Sequence, residues 1–171
     1  MPEFIPLISQ QEIKDKTREI GQKITRDYKG LDLVVVGVLK GAFVFLADLV
    51  RQISIDHEID LLGASSYEGT SSTGQIVFTK QPDLELKGRD VLLVEDIVDT
   101  GWTIAKTVEA MQLLNPRSIK ICALIDKSER REAQINVDYS CFCIDGGFIV
   151  GYGLDYNEKY RNLPAIFNLK L

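Results

Sequence analysis

Three carboxylates and a cluster of small hydroxyl and backbone groups share one short stretch of this chain. Residues 91–103 read VLLVEDIVDTGWT: four apolar residues run into Glu95 and Asp96, Asp99 follows after two more, and Thr100, Gly101, Trp102 and Thr103 close the stretch. A T-G-x-T turn at a helix start suits an anion, because exposed backbone N–H groups and hydroxyls meet it and the helix dipole attracts it. Glu95 and Asp96 would oppose that anion unless something neutralises them. A divalent cation would do so, and so would a pair of sugar hydroxyls donating hydrogen bonds to the carboxylates. A ribose 5-phosphate satisfies the whole stretch, with its phosphate on the Thr/Gly turn and its 2- and 3-hydroxyls on the acidic pair. The motif carries weight only where a strand leads into it and a helix leaves it.

The surrounding pattern predicts that context. Ser9 and Glu12 have capping-box spacing, and Ile13, Thr17, Ile20 and Ile24 follow one helical face, so residues 9–28 read as an amphipathic helix. DLVVVGVLK is a β-branched run without alternation, as in a strand covered on both faces, and AFVFLADLVRQI reads as a buried helix. IDLLGASSY and QIVFTK read as strands on either side of EGTSSTG, which has loop composition. After Trp102, the residues Ile104, Val108, Met111 and Leu114 keep helical spacing until Asn115-Pro116 ends it. SIKICALIDK, YSCFCIDG and FIVGYG supply further strands. This order points to α/β architecture around a mainly parallel sheet, whose ligands bind at the carboxyl ends of the strands. The acidic stretch is expected to be such a loop.

Composition narrows the function classes. A chain of 171 residues with 45% hydrophobic and 26% charged residues suits one globular domain, 1–171. A net charge of -5 argues against a general nucleic-acid binder, which needs a basic face. No apolar run approaches the roughly 20 residues that span a bilayer, and MPEFIPLISQ lacks the basic start and long apolar stretch of a signal peptide, so no membrane association and a cytoplasmic location are expected. Cys122, Cys141 and Cys143 lie in strand-like surroundings and read as buried reduced thiols. His57 is the sole histidine, which weakens any mechanism built on a histidine base.

Taken together, VVGVLKGA, SSY before a Ser/Thr/Gly loop, VLLVEDIVDTGWT, LIDKSERR and FIVGYGLDYNEKYRNLP occur in the order of one known family. The chain resembles the hypoxanthine-guanine branch of the type I phosphoribosyltransferases, and VLLVEDIVDTGWT resembles their phosphoribosyl pyrophosphate (PRPP) motif. The resemblance covers nearly all the sequence. It implies the type I phosphoribosyltransferase fold, a mainly parallel sheet flanked by helices with a small hood region. It also implies transfer of ribose 5-phosphate from PRPP to hypoxanthine or guanine, giving IMP or GMP and pyrophosphate with Mg²⁺, in a homo-oligomer, dimer or tetramer.

The resemblance also assigns roles. It gives Glu95, Asp96, Asp99, Thr100, Gly101, Trp102 and Thr103 to the ribose phosphate, with Asp99 as general base at purine N7. The backbone of Lys40 and Gly41, after a cis peptide from Leu39, would meet pyrophosphate together with Arg161. Ser66 and Tyr67 would begin a lid that excludes water. Lys127 would donate to the purine 6-oxo group, Phe148 would stack on the base, and the backbone of Ile149 would read its edge. Asp155 would approach the 2-amino group of guanine and bind Mg²⁺, the other acidic candidates being Glu95 and Asp96. By themselves, Lys40 and Lys127 read as solvated lysines at strand ends. Two departures are notable: Glu68 stands where many bacterial members have Gly, and Trp102 where Lys or Leu is commoner. A lysine donor favours a 6-oxopurine over adenine, whose amino group is another donor. Xanthine preference stays open, as does a PRPP-sensing regulator that binds nucleic acid.

Overall fold

The computed structural model describes residues 2–66 and 76–170. The Ser9–Glu12 capping box is present in both directions and starts α1 (Gln10–Asp27), which buries Ile13, Thr17, Ile20 and Ile24 as the spacing predicts. Six strands then form the main sheet: β2 (Leu33–Leu39), β3 (His57–Ser66), β4 (Ile76–Lys80), β5 (Asp90–Val98), β6 (Ser118–Asp126) and β7 (Tyr139–Cys143). Their order is β4-β3-β2-β5-β6-β7. Every neighbouring pair is parallel except β3 with β4.

Unbroken apolar runs make sense because both faces of this sheet are covered. Leu33 and Val35 of β2, Leu92 and Val94 of β5, and Cys122 and Leu124 of β6 pack with α1 and with α2 (Phe43–Val50). The alternate residues Val34, Val36, Val91, Leu93, Ile121 and Ala123 pack with Ile104 and Met111 of α3 (Trp102–Gln112). The chain leaves β2 through α2 toward β3 on one side, and leaves β5 through α3 toward β6 on the other. The direction of winding therefore reverses between β2 and β5, the place where open parallel sheets bind ligands.

Four sequence expectations are corrected. Glu95 and Asp96 lie inside β5 rather than in a loop, because the strand pairs with β6 as far as Val98. Helix α3 ends at Gln112, so Leu114 falls outside it and stays partly exposed. Cys122 and Cys141 are buried, but Cys143 is exposed at the end of the edge strand β7. FIVGYG supplies only the two-residue strand β8 (Ile149–Val150), after which Gly151, Tyr152 and Gly153 turn with positive φ. Strand β8 belongs to a second sheet of order β1-β9-β8, with β1 (Glu3–Ile8) and β9 (Ile166–Lys170) bringing the two ends of the chain together. This small sheet accounts for the hood. Tyr67 and the EGTSSTG stretch lie outside the described residues.

Two buried aspartates tie inner strands of the sheet to the segments beside them. Asp60 accepts from the backbone N–H groups of Leu61, Asp83 and Leu84. Burial acts to raise its pKa, but these donors outweigh it and hold the carboxyl below its ordinary value. Asp90 joins the starts of β5 and β6 through Arg117 and the Ser118 hydroxyl, and the Arg117 hydrogen bond is the main reason its carboxyl also sits low. A carboxyl depressed in the folded state stabilises the fold above the unfolded value of about 4, and that contribution fades as pH falls through the lower folded value. The substitution Asp90→Asn should lower stability at neutral pH by about 1–2 kcal/mol, since Arg117 is half exposed. It should also flatten the decline below about pH 4, measured by urea unfolding across pH.

Candidate active site

At the β2/β5 boundary the backbone of Gly41 presses on the Asp96 side chain. A Cβ at position 41 would lie 1.7 Å from Asp96 Oδ2, and a Cβ on Gly153 would lie 2.2 Å from the Gly41 carbonyl oxygen. Three segments distant in sequence thus meet with no room for a side chain. The Leu39–Lys40 peptide that opens this loop is cis, as the resemblance implies. Arg161 Nη1 donates to the Gly153 carbonyl at 2.7 Å, and its Nη2 is 2.9 Å from Asp155 Oδ1. Glu158 bridges the two cations, 3.0 Å from Lys40 Nζ and 3.5 Å from Arg161 Nη2. A cavity of about 440 Å³ opens here, lined in part by Lys40, Gly63, Lys80 and Arg161.

The acidic pair sits under this loop. Glu95 is 7% exposed. Burial, with the charge of Asp96 beside it, pushes its carboxyl well above the ordinary range. Burial raises Asp96 as well, opposed by hydrogen bonds, including that from the Ile97 N–H, and by the positive field of Arg161. Two desolvated carboxyls side by side resist double ionisation, so the pair is suited to donors or cationic charge brought by a ligand.

Beyond β5, the turn at Asp99–Thr103 leads into α3. Gly101 has φ 88 and caps α3 without any side-chain bond, which leaves the first-turn N–H groups without a side-chain acceptor. The segment 130–133 supports this turn in a way sequence reasoning missed. Arg131 Nε donates to the Asp99 carbonyl at 3.1 Å and the guanidinium pairs with Asp126, while the N–H groups of Glu132 and Ala133 both donate to the Thr100 carbonyl. Trp102 spans the same junction, its Nε1 donating to Glu132 at 2.9 Å. Asp99 Oδ2 accepts from Arg130 at 3.0 Å, whereas Asp99 Oδ1 is buried and accepts no hydrogen bond. The two arginines of LIDKSERR were the available signal.

A third group lies beside the second. Lys127 is 4% exposed, and its Nζ donates to the Gly147 carbonyl at 2.8 Å, which leaves donor capacity on a buried ammonium. Its own N–H bonds to the Val98 carbonyl, so it is fixed to the end of β5. Phe148 is 48% exposed and forms a T-shaped ring pair with Tyr156, the centroids 5.3 Å apart. Leu169 N–H donates to the Phe148 carbonyl while Ile149 faces Asn168. In an antiparallel ladder that pattern makes Ile149–Asn168 a non-hydrogen-bonded pair, and it turns the Ile149 N–H and carbonyl to the outer edge of β8. Ser66 ends β3, and Asp155 is held by Arg161 and by the Glu158 N–H rather than standing apart as a dedicated metal ligand.

The comparisons with known proteins agree with this geometry. Residues 7–157 match the phosphoribosyl transferase domain. The chain belongs to the phosphoribosyltransferase family. This phosphoribosyltransferase is 45% identical over 163 residues to the hypoxanthine phosphoribosyltransferase of Escherichia coli K12, covering 94% of this chain and 92% of that one. It is likewise 45% identical to the hypoxanthine-guanine phosphoribosyltransferase of Streptococcus thermophilus, over 96% of this chain and 92% of the relative. A crystal structure of a hypoxanthine-guanine phosphoribosyltransferase from Bacillus anthracis superposes with a TM-score of 0.94 at 41% identity, covering all of both chains.

The contact between Gly41 and Asp96 yields a direct test. In Gly41→Ala the added methyl must push the loop or the carboxylate aside, and a shift on the order of 1 Å can cost roughly 100-fold in rate. Turnover with PRPP should fall by that order, while circular dichroism shows a retained fold.

Proposed function

We propose that this enzyme salvages purine bases, transferring ribose 5-phosphate from PRPP to hypoxanthine or guanine with release of pyrophosphate. The observation that carries this reading is the buried Lys127 ammonium, bonded to the carbonyl of Gly147, which precedes the half-exposed Phe148, and tied through its backbone to the strand end that leads to Asp99. A 6-oxopurine would stack on Phe148, take a hydrogen bond from Lys127 at its carbonyl, and present its ring edge to the Ile149 backbone. Adenine would set an amino group against a buried ammonium, leaving donors unmatched.

The remaining groups serve the sugar and the leaving group. Thr100, Gly101, Trp102 and Thr103 would hold the 5-phosphate through the open first turn of α3, with Glu95 and Asp96 accepting from the ribose 2- and 3-hydroxyls. The unpartnered Asp99 Oδ1 is available for the proton at purine N7 as N9 attacks the anomeric carbon. The backbone of Lys40 and Gly41 would meet pyrophosphate with Arg161, whose Nε is buried and has no hydrogen-bond partner. Acidic groups nearby favour the positive charge that develops on the sugar as pyrophosphate departs.

Mg²⁺ belongs to the same reading. Among the described residues no group of three or more His, Cys, Asp or Glu forms a closed metal cage. The available donors are the hard carboxylate oxygens of Glu95, Asp96 and Asp155, which fit a cation held by one or two carboxylates plus substrate phosphates. When bound, it would neutralise the pyrophosphoryl oxygens. Ser66 and Tyr67 would begin a lid over the centre, and two or four copies would assemble. A cytoplasmic location is part of this reading; separately, no helix among the described residues is long and apolar enough to cross a membrane.

Two substitutions test the assignments. Asp99→Asn should lower turnover roughly 100- to 10,000-fold, the range for losing a general base, while IMP binding by calorimetry stays near that of the unsubstituted enzyme. Lys127→Ala should erode the preference for hypoxanthine over adenine in an initial-rate panel that also includes guanine and xanthine. Unchanged discrimination would remove Lys127 from base selection.

A further inference from the structure

One polar contact outside the assigned groups joins the two anion-binding segments from behind. Tyr152 lies between Gly151 and Gly153 with φ 52, and it is 7% exposed. Its hydroxyl donates to Asp48 Oδ2 at 2.5 Å. Asp48 is on α2, the helix that begins two residues after Gly41. The turn's own backbone is fixed to the clamp: Tyr152 N–H donates to the Leu163 carbonyl at 2.8 Å and Gly153 N–H to the Arg161 carbonyl at 2.9 Å. Arg161 returns its guanidinium to the Gly153 carbonyl.

The turn is therefore attached to the Lys40–Gly41 loop and its helix at two places. In front, Gly153 rests on the Gly41 carbonyl; behind, Tyr152 bonds α2. The front attachment is van der Waals contact, which limits approach but does not prevent rocking. A hydrogen bond to an ionised carboxylate is directional and about twice as strong as a neutral one. We infer that the Tyr152–Asp48 hydrogen bond is a positioning contact that sets the gap between the Lys40–Gly41 loop and Arg161, and with it the affinity for the pyrophosphoryl end of PRPP. This rests on the reading that those groups take pyrophosphate.

Two features favour such a role over simple core filling. The bond ends on a carboxylate that is 40% exposed and also paired with Arg51, so it is not needed to satisfy a stranded buried charge. A cavity of about 280 Å³ lies beside Asp48 and Tyr152, giving the pair room to separate once the bond is gone. Burial, with the Asp48 hydrogen bond, holds the phenol well above its ordinary pKa, so Tyr152 remains a donor throughout the working range.

Steady-state kinetics on the whole enzyme test this, with Tyr152→Phe, Asp48→Ala, Asp48→Asn and Arg161→Ala compared. In Tyr152→Phe and Asp48→Ala, the KM for PRPP and the inhibition constant of pyrophosphate should rise together by roughly tenfold, the loss of one hydrogen bond to a charged group. The KM for hypoxanthine should change less than about twofold, because Lys127 bonds Gly147 and Phe148 pairs with Tyr156, partners other than this bond. Asp48→Asn keeps an acceptor and should restore near-normal values, and the double variant Tyr152→Phe/Asp48→Ala should be no worse than either single one. A tenfold effect on PRPP in Arg161→Ala, with none in Tyr152→Phe or Asp48→Ala, would overturn the positioning role and leave the pyrophosphate reading standing. An Arg161→Ala enzyme with normal KM for PRPP would overturn that reading and this inference together. Equal rises in both substrates' KM values would reduce the bond to general stability.

Discussion

The whole site depends on one close approach, the backbone of Gly41 lodged between the Asp96 carboxylate and the Gly153 turn. No Cβ fits at position 41 or 153, so the chain passes there as bare backbone. The positive φ of Gly153 supplies a second reason for glycine, since that region is open to it at little cost. Three segments that share nothing in sequence become one surface, and the cationic clamp is set directly over the acidic pair.

That arrangement sets Arg161 where its charge reaches the buried acidic pair. Glu95 and Asp96 are desolvated and mutually repulsive, and their raised pKa values express that unfavourable state. Arg161 already offsets part of it for Asp96, and sugar hydroxyls or a cation would offset more. On the other side of the loop, Glu158 engages both Lys40 and Arg161, an exposed contact of small stability value that a polyanion can replace. The acidic pair and the cations around it are thus incompletely matched within the protein itself.

The sheet sets where this can happen. Strands β2 and β5 are neighbours, but the chain winds away from them in opposite directions, so the loops at their ends diverge and leave a crevice. Burial on both faces makes the strands rigid, and rigidity is what permits contacts as tight as that at Gly41. The supporting segment 130–133 then fixes the second crevice wall through Arg131 and two backbone donors on Thr100.

Much of this was legible in the residues themselves. Apolar runs without alternation predicted strands buried on both faces, the Ser9–Glu12 pair located a helix start, and the acids followed by T-G-x-T indicated a phosphorylated sugar, because each is a local pattern with a local cause. Strands β1 and β9 were missed because EFIPLI pairs with IFNLK across the length of the chain, and IFNLK pairs also with β8. The burial of Glu95 inside β5, the bracing of Asp99 by Arg130 and Arg131, and the bond from Tyr152 to Asp48 were likewise beyond local reading. Sequence alone determined the strands of the main sheet, the helix starts and an acidic stretch whose residue types suit a phosphorylated sugar; only the tertiary structure decided which groups stand together, since burial and charge coupling act through distances in space that spacing along a chain does not contain.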